Sequence, residues 1–408
     1  MRVTSYPFFR LFPARHLLLA LSLVLLGGCS SPPSLAPVPE PLVTQARIPG
    51  YKGKGIRYGY DQREANFVAD FQTAMRAALP GPEGVALLAL SGGGPNGAFC
   101  AGLLTGWTTT GHRPEFQVVT GVSTGALAAP FAFLGSAYDA RLAQAYTTIS
   151  DPDIYEPHYW RSAFSFFQTD SLADTTPLTR TLSTLVDQSV LDAIAAEYRR
   201  GRRLYVCTTD LTSGRPVFWN LTAIAASGRE DALALFRKVL VASASIPIVF
   251  PPQYFEVEIG KDRYVEMHVD GGLSRQVFVH MNGARAGLAP RPDGSPTPLT
   301  AYIICNSKVA PTYYLIPPQL PAIAMRTVSA LVRAESIGDL HRIYGQTLTE
   351  GAAFRLAAIP EDFNMAHKGV FDTSYMQRVF NLGRECATRP DLWQEKPPLI
   401  DVQSVEEP

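Results

Sequence analysis

Three short segments carry residue types whose spacing suits attack on a carbonyl carbon. Gly121-Val122-Ser123-Thr124-Gly125 has the form of a nucleophile elbow. Such a turn presents a serine hydroxyl above a sheet, with glycines where side chains would strike the adjoining strand and helix. Ser91-Gly92-Gly93-Gly94-Pro95-Asn96-Gly97 offers successive backbone N–H groups without side-chain cover. Donors at Gly92, Gly93 and Gly94, ahead of a helix with its positive N-terminal end, suit an oxyanion hole worth about 3–4 kcal/mol per donor. Asp270-Gly271-Gly272 supplies a carboxylate. A serine hydroxyl needs an adjacent base, and Asp270 could serve once partial desolvation raises its affinity for a proton.

Other chemistries fit less well. No Gly-Lys-Ser/Thr follows the glycine run, which disfavours a phosphate-binding P-loop. Gly92, Gly94 and Gly97 match GxGxxG literally, but a dinucleotide site leaves Ser123 and Asp270 without roles. A Ser–His–Asp triad would draw on His280, His341 or His367, in the order serine, acid, histidine. His268 lies two residues before Asp270 and on a strand would share its face. Cys100, Cys207, Cys305 and Cys386 show no framework spacing and read as buried structural residues. No histidine, cysteine or acidic spacing calls for a metal, and acyl hydrolysis needs no cofactor.

The elements that must hold these segments alternate as in α/β proteins. Strands are expected at 85–90 and 116–120, each followed by a glycine turn and a helix. Phe67, Phe71, Met75 and Leu79 recur every four residues, so a helix runs to Pro80, with Asp61 and Glu64 as a capping box. Further strands are expected at 204–208, 216–219, 254–259, 264–269 and 301–305. Helices are expected at 177–186, 188–200, 321–358 and 374–384. Tyr155, Tyr159, Trp160, Phe164, Phe166 and Phe167 read equally as a lipid-facing wall or as packing. Arg199, Arg200, Arg202 and Arg203 sit at a helix end, where cations offset the dipole, with an anionic headgroup contact as the alternative.

The 408 residues carry 36 basic and 36 acidic side chains. That balance disfavours an electrostatic nucleic-acid binder. The first 28 residues hold Arg2, Arg10 and Arg15 and no acid. An apolar run over 17–26 follows, about half a bilayer core in length, which suits an export signal rather than a spanning helix. Leu26-Gly27-Gly28-Cys29-Ser30 resembles a bacterial lipobox. The resemblance implies lipid attachment at Cys29, a membrane connection through that lipid, and placement in the cell envelope on the outer membrane facing the periplasm. Six prolines between 32 and 49 suit an extended tether.

Taken in order, the three segments, Ala242-Ser243-Ala244-Ser245-Ile246-Pro247 and Phe250-Pro251-Pro252 resemble the patatin-like phospholipase family over roughly 85–274. The resemblance implies a three-layer α/β sandwich with a mainly parallel central sheet, a Ser123–Asp270 dyad and lipid ester substrates. Ser91 and Asn96 depart from the family motif, which usually has aspartate at the first position and a cation at the second. A catalytically silent scaffold on the same fold therefore stays open beside the hydrolase. The expected organisation is a signal over 1–28, anchor and tether over 29–60, an α/β hydrolase domain over 61–306 and a helical extension over 307–408.

Overall fold

The computed structural model describes residues 35–51, 55–59, 64–157, 171, 173–311, 313, 315–365 and 369–398. The export signal, Cys29, the Asp61 cap, His367 and the aromatics Tyr159, Trp160, Phe164, Phe166 and Phe167 lie outside them. In chain order the main elements are β1 (Arg57–Gly59), α1 (Glu64–Arg76), β2 (Val85–Leu90), α2 (Ala98–Thr109), β3 (Phe116–Val122) and α3 (Thr124–Leu134). There follow α4 (Asp139–Thr147), α5 (Thr176–Leu185), α6 (Gln188–Arg199), β4 (Arg203–Asp210), β5 (Arg215–Asn220) and α7 (Ala232–Ser243). The chain continues through β6 (Gln253–Ile259), β7 (Asp262–Asp270), β8 (Leu299–Cys305), α8 (Leu320–Glu350), β9 (Ala353–Ala358) and α9 (Thr373–Cys386).

Nine strands form one sheet in the order β1-β5-β4-β3-β2-β8-β9, with the β6–β7 hairpin joined through β7 to β4. The run from β4 to β9 is parallel, and β1, β5, β6 and β7 add antiparallel pairs. Strands buried on both faces read as continuous apolar runs, as Val85-Ala86-Leu87-Leu88-Ala89-Leu90 does. Their side chains alternate between two cores. Ala86, Leu88 and Leu90 join α2, α3 and α9 on one face. Val85, Leu87 and Ala89 join α1 and the carboxyl half of α8 on the other. The result is the expected three-layer sandwich with a mainly parallel sheet.

Two boundaries differ from expectation. Residues 35–51 are packed rather than an extended tether. Arg47 exchanges backbone hydrogen bonds with Glu258 on β6 (3.1 and 2.8 Å), and Val38, Ala46, Ile48 and Tyr51 are buried. The prolines leave room only for one short 3-10 turn, Glu40–Gln45, and the apolar residues around it cover a sheet edge. At the other end, 307–408 is not purely helical. Gly351, in the left-handed conformation, ends α8, and Ala353–Ala358 pairs in parallel with β8. Alanine-rich Ala353-Phe354-Arg355-Leu356-Ala357-Ala358 reads as helix by propensity, and the open edge of β8 overrides it.

A buried ion pair ties β1 to the hairpin. Arg57 reaches both carboxylate oxygens of Glu266 on β7 at 2.6 and 2.8 Å. His268, also buried, bonds Glu266 and Thr208. Arg57 holds the Glu266 carboxyl well below the usual range despite burial. Arg57→Ala leaves a buried carboxylate unpaired, and we expect it to lower unfolding free energy by about 3–5 kcal/mol. Urea unfolding at pH 7 measures this.

Candidate active site

The carboxyl ends of β2, β3, β4 and β7 converge, and the three segments lie there. Ser123 follows β3 with φ 53° and ψ −126°, a left-handed conformation rare for serine. The strain is held by close packing: a Cβ on Gly125 would lie 2.5 Å from the Leu90 carbonyl oxygen, and one on Gly121 would lie 2.5 Å from that of Gly125. The Ser123 N–H donates to Ser243 Oγ (3.0 Å), which donates to the Cys207 carbonyl (2.7 Å). The segment containing Ser243 thus braces the elbow from below.

Asp270 ends β7 and is 5% exposed. Its N–H bonds the Ser245 carbonyl (2.8 Å), its Oδ1 accepts from Gly272 N–H (2.7 Å), and the Ser123 hydroxyl lies near enough to favour its ionised form as a second donor. Burial pushes its pKa up to about 6, against the lowering effect of those two donors. The Ser123 hydroxyl thus lies close enough to the Asp270 carboxyl to offset part of the effect of burial.

The glycine run lies beside them. Gly93 and Gly94 have positive φ (156° and 56°), and among the described residues their N–H groups meet no acceptor. Gly92 differs from expectation as a third donor. Its N–H is already committed to the Gln276 carbonyl at 3.0 Å. Its Cα instead faces the nucleophile: a Cβ there would lie 3.3 Å from Ser123 Cβ.

Several positioning residues carried no signal in the sequence. Asn306, after β8, donates its side-chain amide to Ser91 O (2.9 Å) and accepts from Cys100 N–H (3.1 Å). Ser91 Oγ accepts from Asn306 N–H (2.8 Å) and donates to Gly92 O (2.7 Å). Asn96 accepts from Tyr375 OH on α9 (2.6 Å). Asp339 on α8 accepts the N–H groups of Gln276 (2.8 Å) and Val277 (3.2 Å). Burial raises its pKa also to about 6. These partners lie far away in the chain, and only the fold identifies them.

The histidines lie elsewhere. His268 bonds Thr208 and Glu266 rather than Asp270, His280 stacks on Phe67, and His341 meets the Pro398 carbonyl. The four remaining cysteines are buried and free. Arg202 and Arg203 are buried, bonding backbone carbonyls and Asp70, so these two members of the basic cluster are structural rather than headgroup contacts. Tyr155 packs on Phe250 and Phe371. Beside the elbow a small apolar cavity of about 40 Å³ is lined by Gly94, Thr124, Leu127, Phe131, Leu182 and Met376. Among the described residues no acidic, histidine or cysteine cluster could hold a metal, and no helix is long and apolar enough to cross a membrane.

The buried Asp270 gives a pH test. Its folded pKa lies above the unfolded value near 4, so ionisation opposes folding. The penalty is absent below about pH 4, grows to about pH 6 and is complete above that. Asp270→Asn should therefore raise thermal stability at pH 7, by a free energy on the order of 2–3 kcal/mol, with no gain at pH 4. Melting curves at both pH values check this.

A family model described as patatin-like phospholipase matches residues 88–281. Among solved structures, the chain is similar to VipD from Legionella pneumophila, with 12% identity and a TM-score of 0.37. The likeness covers 75% of this chain and 66% of that one, just under two thirds of its length. No curated protein matches the chain.

Proposed function

Residues 88–281 belong to the patatin-like phospholipase family, and from that premise we propose that the protein hydrolyses lipid carboxylic esters through a Ser123–Asp270 dyad. The observation that carries this reading is the strained Ser123 elbow beside the buried Asp270 carboxyl, whose proton affinity the Ser123 hydroxyl lowers. In the proposed sequence, Asp270 takes the hydroxyl proton as Ser123 Oγ bonds the ester carbonyl carbon. The resulting oxyanion accepts from the Gly93 and Gly94 N–H groups. The carbonyl re-forms, the alcohol leaves with the proton, and an acyl-serine remains. Water then attacks, giving its proton to Asp270, which returns it to Ser123 Oγ as the bond from that oxygen to the acyl carbon breaks and the carboxylic acid departs. Because the histidines that could complete a triad within the described residues have other partners, a dyad is the better reading.

A base with a pKa of about 6 must be ionised to accept the proton. kcat/KM for a soluble ester should therefore rise with pH through about 6 and level above it. Asp339→Asn should keep that limb, since Asp339 touches backbone rather than the nucleophile. A serine-reactive phosphonate should add one adduct to the intact protein and none to Ser123→Ala. That variant should lose at least about 10³-fold in ester hydrolysis. Full activity in Ser123→Ala would overturn the dyad.

We further propose that Cys29 carries lipid and holds the protein in the bacterial envelope, on the periplasmic face of the outer membrane. Two or more acyl chains give stable anchoring where one is marginal. Cys29→Ser should move the protein from the membrane fraction to the soluble periplasmic fraction, measured by immunoblot. Unchanged membrane retention would count against the anchor.

A further inference from the structure

His268 is fully buried two residues before Asp270, and the reaction proposed above leaves it without a role. Glu266, His268 and Asp270 alternate along β7 and so share one of its faces. β7 meets β4 through three residue pairs, Thr208 with Asp270, Thr209 with Val269 and Asp210 with His268. From His268 back to Asp262 the strand pairs with β6. Few backbone bonds to β4 therefore hold the strand end that carries the carboxylate. A slip of one residue would turn Asp270 to the opposite face, away from Ser123.

Side chains reinforce that short ladder. Thr209 Oγ1 donates to the Asp270 carbonyl (3.0 Å). Thr208, opposite Asp270, has its Oγ1 2.8 Å from His268 Nδ1. The direction of this bond is fixed by the other partner of Thr208. Trp219 Nε1–H can only donate, and it gives its hydrogen to Thr208 Oγ1 (2.8 Å). The single hydroxyl hydrogen then finds its acceptor, among the described residues, at His268 Nδ1. That leaves the imidazole hydrogen on Nε2, which donates to Glu266 Oε2 (3.1 Å), a carboxylate paired with Arg57. The buried chain from Trp219 through Thr208 and His268 to Glu266 runs in one direction, with each donor satisfied. A fully satisfied network at low dielectric is rigid.

We propose that His268 is a positioning residue for ester hydrolysis: as the acceptor for Thr208 it pins β7 to β4 at the register that sets the Asp270 carboxyl beside Ser123. The proposal rests on the Ser123–Asp270 reading above. His268 bonds neither the nucleophile nor the base, and it acts through Thr208, the residue across the ladder from Asp270. Its other nitrogen, on Glu266, keeps the ring turned so that Nδ1 faces the hydroxyl. A displacement of about 1 Å at a reacting group can cost about 10²-fold in rate. A bond one strand away can therefore set kcat without touching substrate.

The test uses para-nitrophenyl butyrate, a soluble ester. Thr208→Val keeps the shape and removes the hydroxyl, so kcat should fall about tenfold or more with KM within about twofold. Thr208→Ser keeps the hydroxyl and should retain most of the parent rate. His268→Asn places an acceptor near the site of Nδ1, whereas His268→Gln reaches only toward Glu266. His268→Asn should therefore be the more active of the two. Parent kcat in Thr208→Val overturns the proposal, as does an equal loss in Thr208→Ser. If Thr208→Val does not fold, the order of His268→Asn and His268→Gln decides, and the reverse order overturns the proposal. A measurement independent of activity keeps the two readings apart. Amide hydrogen exchange over residues 268–270 should quicken about tenfold in Thr208→Val and keep the parent rate in Thr208→Ser. Unchanged exchange in Thr208→Val overturns the pin whatever the kinetics. Parent-rate hydrolysis in Ser123→Ala fails the dyad reading instead, while quickened exchange in Thr208→Val would still show the pin.

Discussion

The hydrogen bond from the Gly92 N–H to the Gln276 carbonyl is the constraint on which the site depends. It joins the loop after β2 to the segment after β7, two stretches nearly two hundred residues apart in sequence. Gln276 is fixed in turn from both sides. Its N–H is held by Asp339 on α8, and its side-chain amide donates to the Gly272 carbonyl at 2.9 Å, two residues beyond Asp270. One backbone carbonyl thus sets the distance between the glycine donors and the carboxylate. The donor lost at Gly92 is the cost of that alignment. It leaves Gly93 and Gly94, whose positive φ values turn successive N–H groups away from the regular strand.

The same geometry explains why the Asp270 carboxyl holds its proton more tightly than usual and weighs on stability once ionised. Solvent exclusion raises its proton affinity, while the donors Ser123 and Gly272 keep the ionised form accessible. A fully exposed aspartate would be too weak a base near neutrality, and a buried one without donors would stay protonated. Asp339 is buried in a similar way, yet its partners are the Gln276 and Val277 N–H groups and the Arg342 guanidinium, and through them it holds a loop.

The three motifs were legible because each sits where a strand ends in glycine, and the alternation of apolar runs placed those ends along one sheet edge. An α/β sandwich followed from the same alternation, and its three layers and mainly parallel sheet from the family resemblance. What was not legible depended on pairings with no local signature. Ala353–Ala358 takes its structure from the open edge of β8, and residues 35–51 take theirs from β6 and β7. Ser91 and Asn96 read as departures that weakened the first motif. In the fold, Ser91 is closed by Asn306 and Asn96 by Tyr375, so the loop is anchored by residues that only tertiary structure brings near. Gly92 looked equivalent to its neighbours until Gln276 was placed against it.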